Sequence, residues 1–252
     1  TVSPMAAFEY VPAEPAEFVS IPDPNFKAYC VANFDIDGDG EISKAEAEAV
    51  TRIKVSTDNI ESLEGIGSFI NLRSLSACGS GAIARIGNAT SSCGDTSGLE
   101  YPASDGVYSK GRLTSLDVSN NTALTYLRCN NNQLTNLDVS NNIALTYLRC
   151  NDNQLTSLNV NNGVALTYLQ CNNNQLPSLD VSDNTSLASL NCRNNQLTTL
   201  DVSKNTELEM LLCSWNQLAT LDVSKNTKLT ELFCAYNQLT ALDVSENTKL
   251  TR

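Results

Sequence analysis

The chain has 252 residues, 41% of them hydrophobic and 6% aromatic, with a formal net charge of −12 and no histidine. So acidic a balance disfavours nucleic acid, whose phosphates reward clustered Lys and Arg, and disfavours a bare anionic membrane surface. The missing histidine removes Ser–His and Cys–His nucleophile pairs, and no run approaches the ~18 consecutive apolar residues of a spanning helix, so direct membrane insertion is not expected.

Residues 1–23 carry Pro4, Pro12, Pro15 and Pro22 among Ala, Glu and Ser without periodicity and read as a flexible linker. No basic-then-apolar leader opens the chain, so a leader or anchor is expected to have been removed from it. Residues 24–49 are expected to form a helical cap. Asp23-Pro24 offers an N-cap and a first-turn proline for a helix through Phe26, Tyr29, Cys30 and Phe34, whose spacing leaves an apolar stripe to cover the open first coil.

Within the cap, Asp35-Ile-Asp37-Gly-Asp39-Gly40-Glu41-Ile-Ser43-Lys-Ala-Glu46 places oxygen donors at positions one, three, five, seven, nine and twelve of a 12-residue loop. Gly40 stands sixth, where a sharp turn needs it. The loop resembles an EF-hand loop, which implies a structural Ca2+ held by the Asp35, Asp37, Asp39 and Glu46 side chains and the Glu41 carbonyl. The alternative is an acidic turn without metal, since a lone loop lacks the usual paired partner.

Residues 50–252 are expected to be a solenoid. Val50-Thr-Arg-Ile-Lys-Val55 has strand spacing, a return runs through Ile60, Leu63 and Ile66, and a second strand covers Leu72 to Ala77. An insertion at about 79–112 then lengthens the interval by 31 residues and holds seven of the twelve glycines, with Tyr101 and Tyr108. It is either a surface excursion or a loop folded over ligand at the concave edge. Cys78 falls at an outward strand position and Cys93 lies in the insertion, so the two are either bridged or free.

From Leu113 onward a 21-residue unit repeats, with six full copies beginning at Leu113, Leu134, Leu155, Leu176, Leu197 and Leu218 and a seventh at Leu239. The second half of each, as in Leu124-Thr-Tyr-Leu-Arg-Cys-Asn-Asn-Asn-Gln, is a leucine-rich-repeat strand signature. Side-chain alternation turns Leu127 and Cys129 inward and Tyr126 and Arg128 outward. Each unit offers about six inward apolar groups worth roughly 1.5–3 kcal/mol apiece, against an ordering cost of about 1–2 kcal/mol per residue, so a lone unit cannot fold. Stacked units can.

Six of the nine cysteines (Cys129, Cys150, Cys171, Cys192, Cys213 and Cys234) recur at the inward position and read as a buried thiol ladder, against disulfides or a metal array. The ninth-position asparagines, Asn132 to Asn237, are expected to turn inward and bond the bend. Asp117, Asp138, Asp180, Asp201, Asp222 and Asp243 form a further column, read as turn residues bonded by local Ser, Thr or backbone amides, against a row of cation sites. The chain ends as the next strand begins, without a polar cap. That predicts either a continuing natural protein or end-to-end self-association of two copies.

These repeats resemble bacterial cell-surface leucine-rich-repeat proteins, internalins among them, over about residues 50–252. The return from Ile60 to Leu72 is internalin-like, whereas the later units are one residue shorter and carry Cys at the sixth strand position. The resemblance implies a leucine-rich-repeat solenoid with a parallel β-sheet on the concave face and a mostly irregular or short-strand convex side. It also implies binding rather than catalysis, outside or on the surface of a bacterium.

The candidate contact residues are the outward ones: Tyr126, Arg128, Tyr147, Arg149, Tyr168, Arg193, Met210, Leu212, Trp215, Phe233 and Tyr236. Tyr, Trp and Arg supply much of the contact energy in recognition, and the last five form an apolar patch. The first expectation is a protein ligand, as for an adhesin. The alternatives are a carbohydrate-binding module of a surface glycan system, since flat Tyr and Trp faces suit sugar rings, and an inert spacer whose Tyr and Arg merely cover one another.

Overall fold

A computed structural model describes residues 17–80 and 110–252. Helix α1 (Pro24–Phe34) starts where expected: one Asp23 oxygen accepts the Asn25 and Phe26 amides, both at 2.9 Å. Its other oxygen accepts the Glu61 and Ser62 amides at 2.8 and 3.2 Å, so the residue that caps the helix also ties it to the first coil. Helix α2 (Lys44–Ala49) begins in a Ser43–Glu46 capping box. Phe26, Cys30, Ile42 and Ala47 are buried in one core continuous with the repeats. The free edge of strand β1 (Arg52–Ser56) is covered in part by Tyr29, whose hydroxyl accepts the Lys54 amide at 3.2 Å.

Strands β2 (Ser74–Cys78), β3 (Tyr126–Arg128), β5 (Tyr147–Arg149), β7 (Tyr168–Gln170), β8 (Ser189–Asn191), β9 (Met210–Leu212) and β10 (Glu231–Phe233) follow β1 in one parallel eight-stranded sheet. From β3 to β10 the register pairs each residue with the one 21 positions on, so that Leu127, Leu148, Leu169, Leu190, Leu211 and Leu232 form one column. All but the last, half-buried Leu232 are sealed from solvent. On the opposite side, β4 (Asn136–Asp138) and β6 (Ser157–Asn159) make a two-stranded sheet. The other coils return there in turns. Among the described residues no α-helix follows α2, and the internalin-like return contains one 3-10 turn at Ile66–Ser68.

Two asparagine columns hold the bends. At the end of each concave strand, Asn153 shows the pattern: its Nδ2 donates to the Cys129 and Cys150 carbonyls, each at 3.0 Å, and its Oδ1 accepts the Leu134 amide at 3.1 Å. Every ninth-position asparagine from Asn132 to Asn237 bonds two carbonyls of neighbouring coils in this way. A second column, for which Asn142 is typical, donates to the Val118 and Asn121 carbonyls on the convex side. Gly163 replaces asparagine there, and a Cβ on it would stand 2.8 Å from the Asn184 amide nitrogen.

The insertion leaves the ladder intact. Leu75 pairs with Leu127, 52 positions on, which is 31 more than one coil and matches the sequence reading. Its two ends meet at Gly79 and Gly111, whose amides both donate to the Asn131 carbonyl at 3.2 and 2.9 Å. A Cβ on Gly111 would lie 2.1 Å from both Asn132 Oδ1 and Thr57 Oγ1, so only glycine fits this base. Tyr101, Tyr108 and Cys93 lie outside the described residues.

Candidate functional site

The outward columns of the concave sheet carry most of the candidate contact residues, and the register sets Tyr126, Tyr147 and Tyr168 side by side, Arg128 beside Arg149, and Leu212 beside Phe233. In the first column, Tyr126 stacks on Tyr147 with ring centroids 4.6 Å apart and planes 8° from parallel, and Tyr147 stacks on Tyr168 at 4.5 Å and 4°. In-register parallel strands set this spacing, since neighbours lie about 4.8 Å apart. Both faces of Tyr147 and one face each of Tyr126 and Tyr168 are therefore covered by a neighbouring ring. Burial pushes the Tyr147 phenol up to about 12, against the opposing pull of Arg149.

Arg128 and Arg149 occupy the outward positions that alternation gave them and are only 6% and 4% exposed, as expected where Tyr and Arg cover one another. Cys78, also outward by register, is wholly buried and disulfide-bonded; its expected partner Cys93 lies outside the described residues. Further along, Tyr168 donates its hydroxyl to Gln170 Oε1 at 2.8 Å, and Gln170 donates to Asn172 Oδ1 at 2.9 Å, so this polar row is bonded within itself.

From β8 onward the surface opens. Ser189, Met210 and Glu231 continue the first column and Asn191, Leu212 and Phe233 the second, all half-buried, with Arg193 half-buried beside them. Trp215 and Tyr236 sit at the bend after β9 and β10, 51% and 67% exposed, stacked with centroids 4.0 Å apart. Here sequence reasoning missed a feature. The same bend position turns through the left-handed region in each of these repeats, at Asn131 (φ 57°), Asp152 (57°), Asn173 (56°), Asn194 (52°), Trp215 (59°) and Tyr236 (56°). Asn and Asp tolerate that conformation, whereas for other L-residues it costs about 1–2 kcal/mol. The column of Asn and Asp in the preceding units was the signal that could have revealed it.

The other columns are scaffold. Cys129, Cys150, Cys171, Cys192 and Cys213 are buried free thiols, with Cys234 half-buried at the end, as the inward position predicted. Burial raises them all, Cys129 and Cys171 to about 12, so they are held as neutral apolar groups. Each Asp of the convex column accepts the amide of the Ser two residues on, for example Ser119 to Asp117 at 2.9 Å, and these bonds lower the carboxyls. That is the turn role expected of them.

In the acidic loop, ligand-capable oxygens of Asp35, Asp37 and Asp39 lie within 4.8 Å of one another. Gly38 and Gly40 turn the backbone at φ 76° and 84°, and Asp35 accepts the Gly38 and Gly40 amides at 2.6 and 2.9 Å. Glu46 stands outside the triad. Its Oε1 accepts the Ile36 amide at 2.6 Å and its Oε2 the Ser43 amide and hydroxyl, both at 2.8 Å. The Glu41 side chain is paired with Lys27 at 2.5 Å, which leaves its carbonyl as the loop's seventh-position donor.

Inward Leu and Cys columns, an asparagine-bonded bend and one parallel concave sheet define a leucine-rich-repeat solenoid with a cysteine ladder. Solved structures similar to it include internalins of Listeria monocytogenes. The chain is similar to the functional domain of InlJ, itself described as including a cysteine ladder, at 35% identity and TM-score 0.65 over 94% of this chain and 51% of that one. It thus spans about half the length of that domain. Internalin C2 (InlC2) shares the fold at TM-score 0.64 and 18% identity, over 91% of each chain. No protein-family model matches the sequence, and none of the curated proteins does.

Proposed function

We propose that this chain is a non-enzymatic binding module that recognises a protein ligand through the concave face of its solenoid, as a surface adhesin or interaction protein outside a bacterial cell. One observation carries this reading: along the concave face the outward residues change from half-buried stacked tyrosines with buried Arg128 and Arg149 on β3 and β5 to half-buried Met210, Leu212 and Phe233 beside exposed Trp215 on β9 and β10. Half-exposed Met210, Leu212 and Phe233 beside exposed Trp215 have the composition of an interface centre. The likeness to internalins supports the same class of function, and the disulfide at Cys78 suits an oxidising compartment. The glycan reading is weaker, because both flat faces of Tyr147 and one face each of Tyr126 and Tyr168 are used against a neighbouring ring. The test is capture of host or bacterial surface proteins by the full chain beside a glycan array. Protein capture lost at least about tenfold in Trp215→Ala, or roughly 1.4 kcal/mol, supports the proposal; a Trp215-dependent glycan signal alone replaces it with the carbohydrate reading.

We further propose that the Asp35–Glu46 loop binds a structural Ca2+. The loop spacing, the gathered Asp35, Asp37 and Asp39 oxygens and the paired turn glycines support it. Such an ion would offset the repulsion of three adjacent carboxylates and hold the loop from which residues 17–19 pair with 42–44. Removing Ca2+ with chelator should lower the melting temperature by several degrees. An identical melt in Ca2+ and in chelator would contradict it.

A further inference from the structure

The chain is acidic as a whole, with 28 Asp and Glu against 16 Lys and Arg, yet its concave sheet is basic. At outward strand positions β1 carries Arg52 and Lys54, β3 Arg128 and β5 Arg149, and no Asp or Glu occupies one in this sheet from β1 to β9. Arg193 follows β8, and Arg73 stands at the rim where β2 begins. The flanking acids are Asp58 and Asp152, both hydrogen-bonded at the bend, Glu207, paired with Lys228, and exposed Glu209. Glu231 on β10 has Arg252 one coil on in the same column, where its carbonyl accepts the Leu232 amide. Among the described residues Arg52, Arg73, Arg149 and Arg193 are in no ion pair. Arg52 and Arg73 are exposed and Arg193 half-buried, while the buried Nε of Arg149 has no hydrogen-bond partner. Neither stacking nor the bends require a base at these positions, since Ser76, Gln170 and Asn191 serve in the column of Arg128 and Arg149. Those two guanidiniums stand in register, an arrangement of like charges that folding alone disfavours.

We propose that the concave face takes an acidic protein segment whose Asp and Glu side chains lie along β1 to β8. The proposal rests on the protein-binding reading above and supplies the partner's charge. Five strand steps of about 4.8 Å separate β1 from β8, roughly 24 Å, which about seven extended residues span. Carboxylates meet Arg52 and Arg73 at one flank and Arg193 at the other, and buried Arg128 and Arg149 hold a positive potential between them. Arg193 lies two residues past Asn191, the in-register neighbour of Leu212, so the acidic run leads into the apolar patch. At physiological salt the Debye length is about 8 Å, so the local bases outweigh the aspartate column on the convex side. A short segment fits better than a long polyanion, which would overrun the face and meet the acidic remainder of the chain.

The experiment titrates the full chain into peptides of repeated Glu-Ser, Gln-Ser or Lys-Ser, each about eight residues long and carrying one neutral dye, and reads fluorescence anisotropy. Heparin and duplex DNA compete in parallel as an anionic polysaccharide and a nucleic acid. Saturable binding of the Glu-Ser peptide alone is expected, its Kd raised about fivefold or more by Arg52→Glu, by Arg193→Glu and by high salt. Lys204→Glu makes the same charge change at an exposed convex turn and should leave Kd unchanged, with all three variants melting like the parent. Arg52→Gln or Arg193→Gln serves where the Glu variant melts lower. Silence of the Glu-Ser peptide, equal weakening by Lys204→Glu, or indifference to both arginine substitutions overturns the proposal. Tighter binding of heparin or DNA with the same arginine dependence also overturns it, in favour of a polyanion. If Trp215→Ala still abolishes protein capture while the Glu-Ser peptide is silent, the partner's charge fails and the binding module stands. If capture is also indifferent to Trp215, both fail.

Discussion

Strands β3 to β7 and strands β8 to β10 are built on the same coil and present opposite surfaces. Inside, the two regions are alike: buried Leu and Cys at each 21-residue step and an inward asparagine at each concave bend, loosening only at the last coil. Outside, the first region is a stack of tyrosines over buried arginines, and the second an apolar corner with strained, exposed aromatics. The difference teaches that a solenoid separates two tasks by column. Inward columns are fixed by stacking, while outward columns drift without disturbing it.

If that separation is real, truncating the shared interior must hurt both regions alike. Leu148→Ala and Leu211→Ala, each at a sealed position of the same column, should each lose about 2–5 kcal/mol in urea unfolding. A loss confined to one of them would show that the regions have unlike cores. The bend is next in size. Asn153→Ala strands the Leu134 amide and two carbonyls, and Asn216→Ala does the same one region later, so each should cost at least about 1–3 kcal/mol.

The thiol ladder gives a smaller, pH-dependent effect. Folded thiols stay protonated up to about 12, whereas unfolded ones lose their protons near the ordinary value of 9.0, so the unfolded chain binds fewer protons in that window. Stability is therefore full below pH 9 and falls as pH rises toward 12, by about 1.4 kcal/mol per pH unit for each buried thiol. Cys171→Ala should flatten that alkaline slope by about one thiol's share, measured as unfolding free energy against pH. An unchanged slope would mean that the ladder is not buried as described.

Much of this was legible in the sequence because the signals were local. The 21-residue period, the inward Leu and Cys, the ninth-position asparagines, the Asp–Ser turns and the Asp23-Pro24 helix start each depend on residues a few positions apart. What was not legible depends on neighbours brought in from elsewhere. Alternation put Arg128 and Arg149 on the outer face but says nothing of whether that face is covered. Asp23 reaching Glu61 and Ser62, and Gly79 meeting Gly111, join segments that no short motif connects. The left-handed bend at Trp215 was hidden by reading along each unit rather than down the column of Asn131, Asp152, Asn173 and Asn194.

The most direct test of the divided face is the unfolding free energy of Trp215→Asn, followed by circular dichroism in urea. Replacing Trp forfeits a stack worth about 0.5–1.5 kcal/mol and relieves a backbone strain of about 1–2 kcal/mol, so stability should change by between a loss of about 0.5 and a gain of about 1.5 kcal/mol. A loss of 3 kcal/mol or more, as expected for a core aromatic, would make Trp215 a structural cover and contradict an open, recognising end.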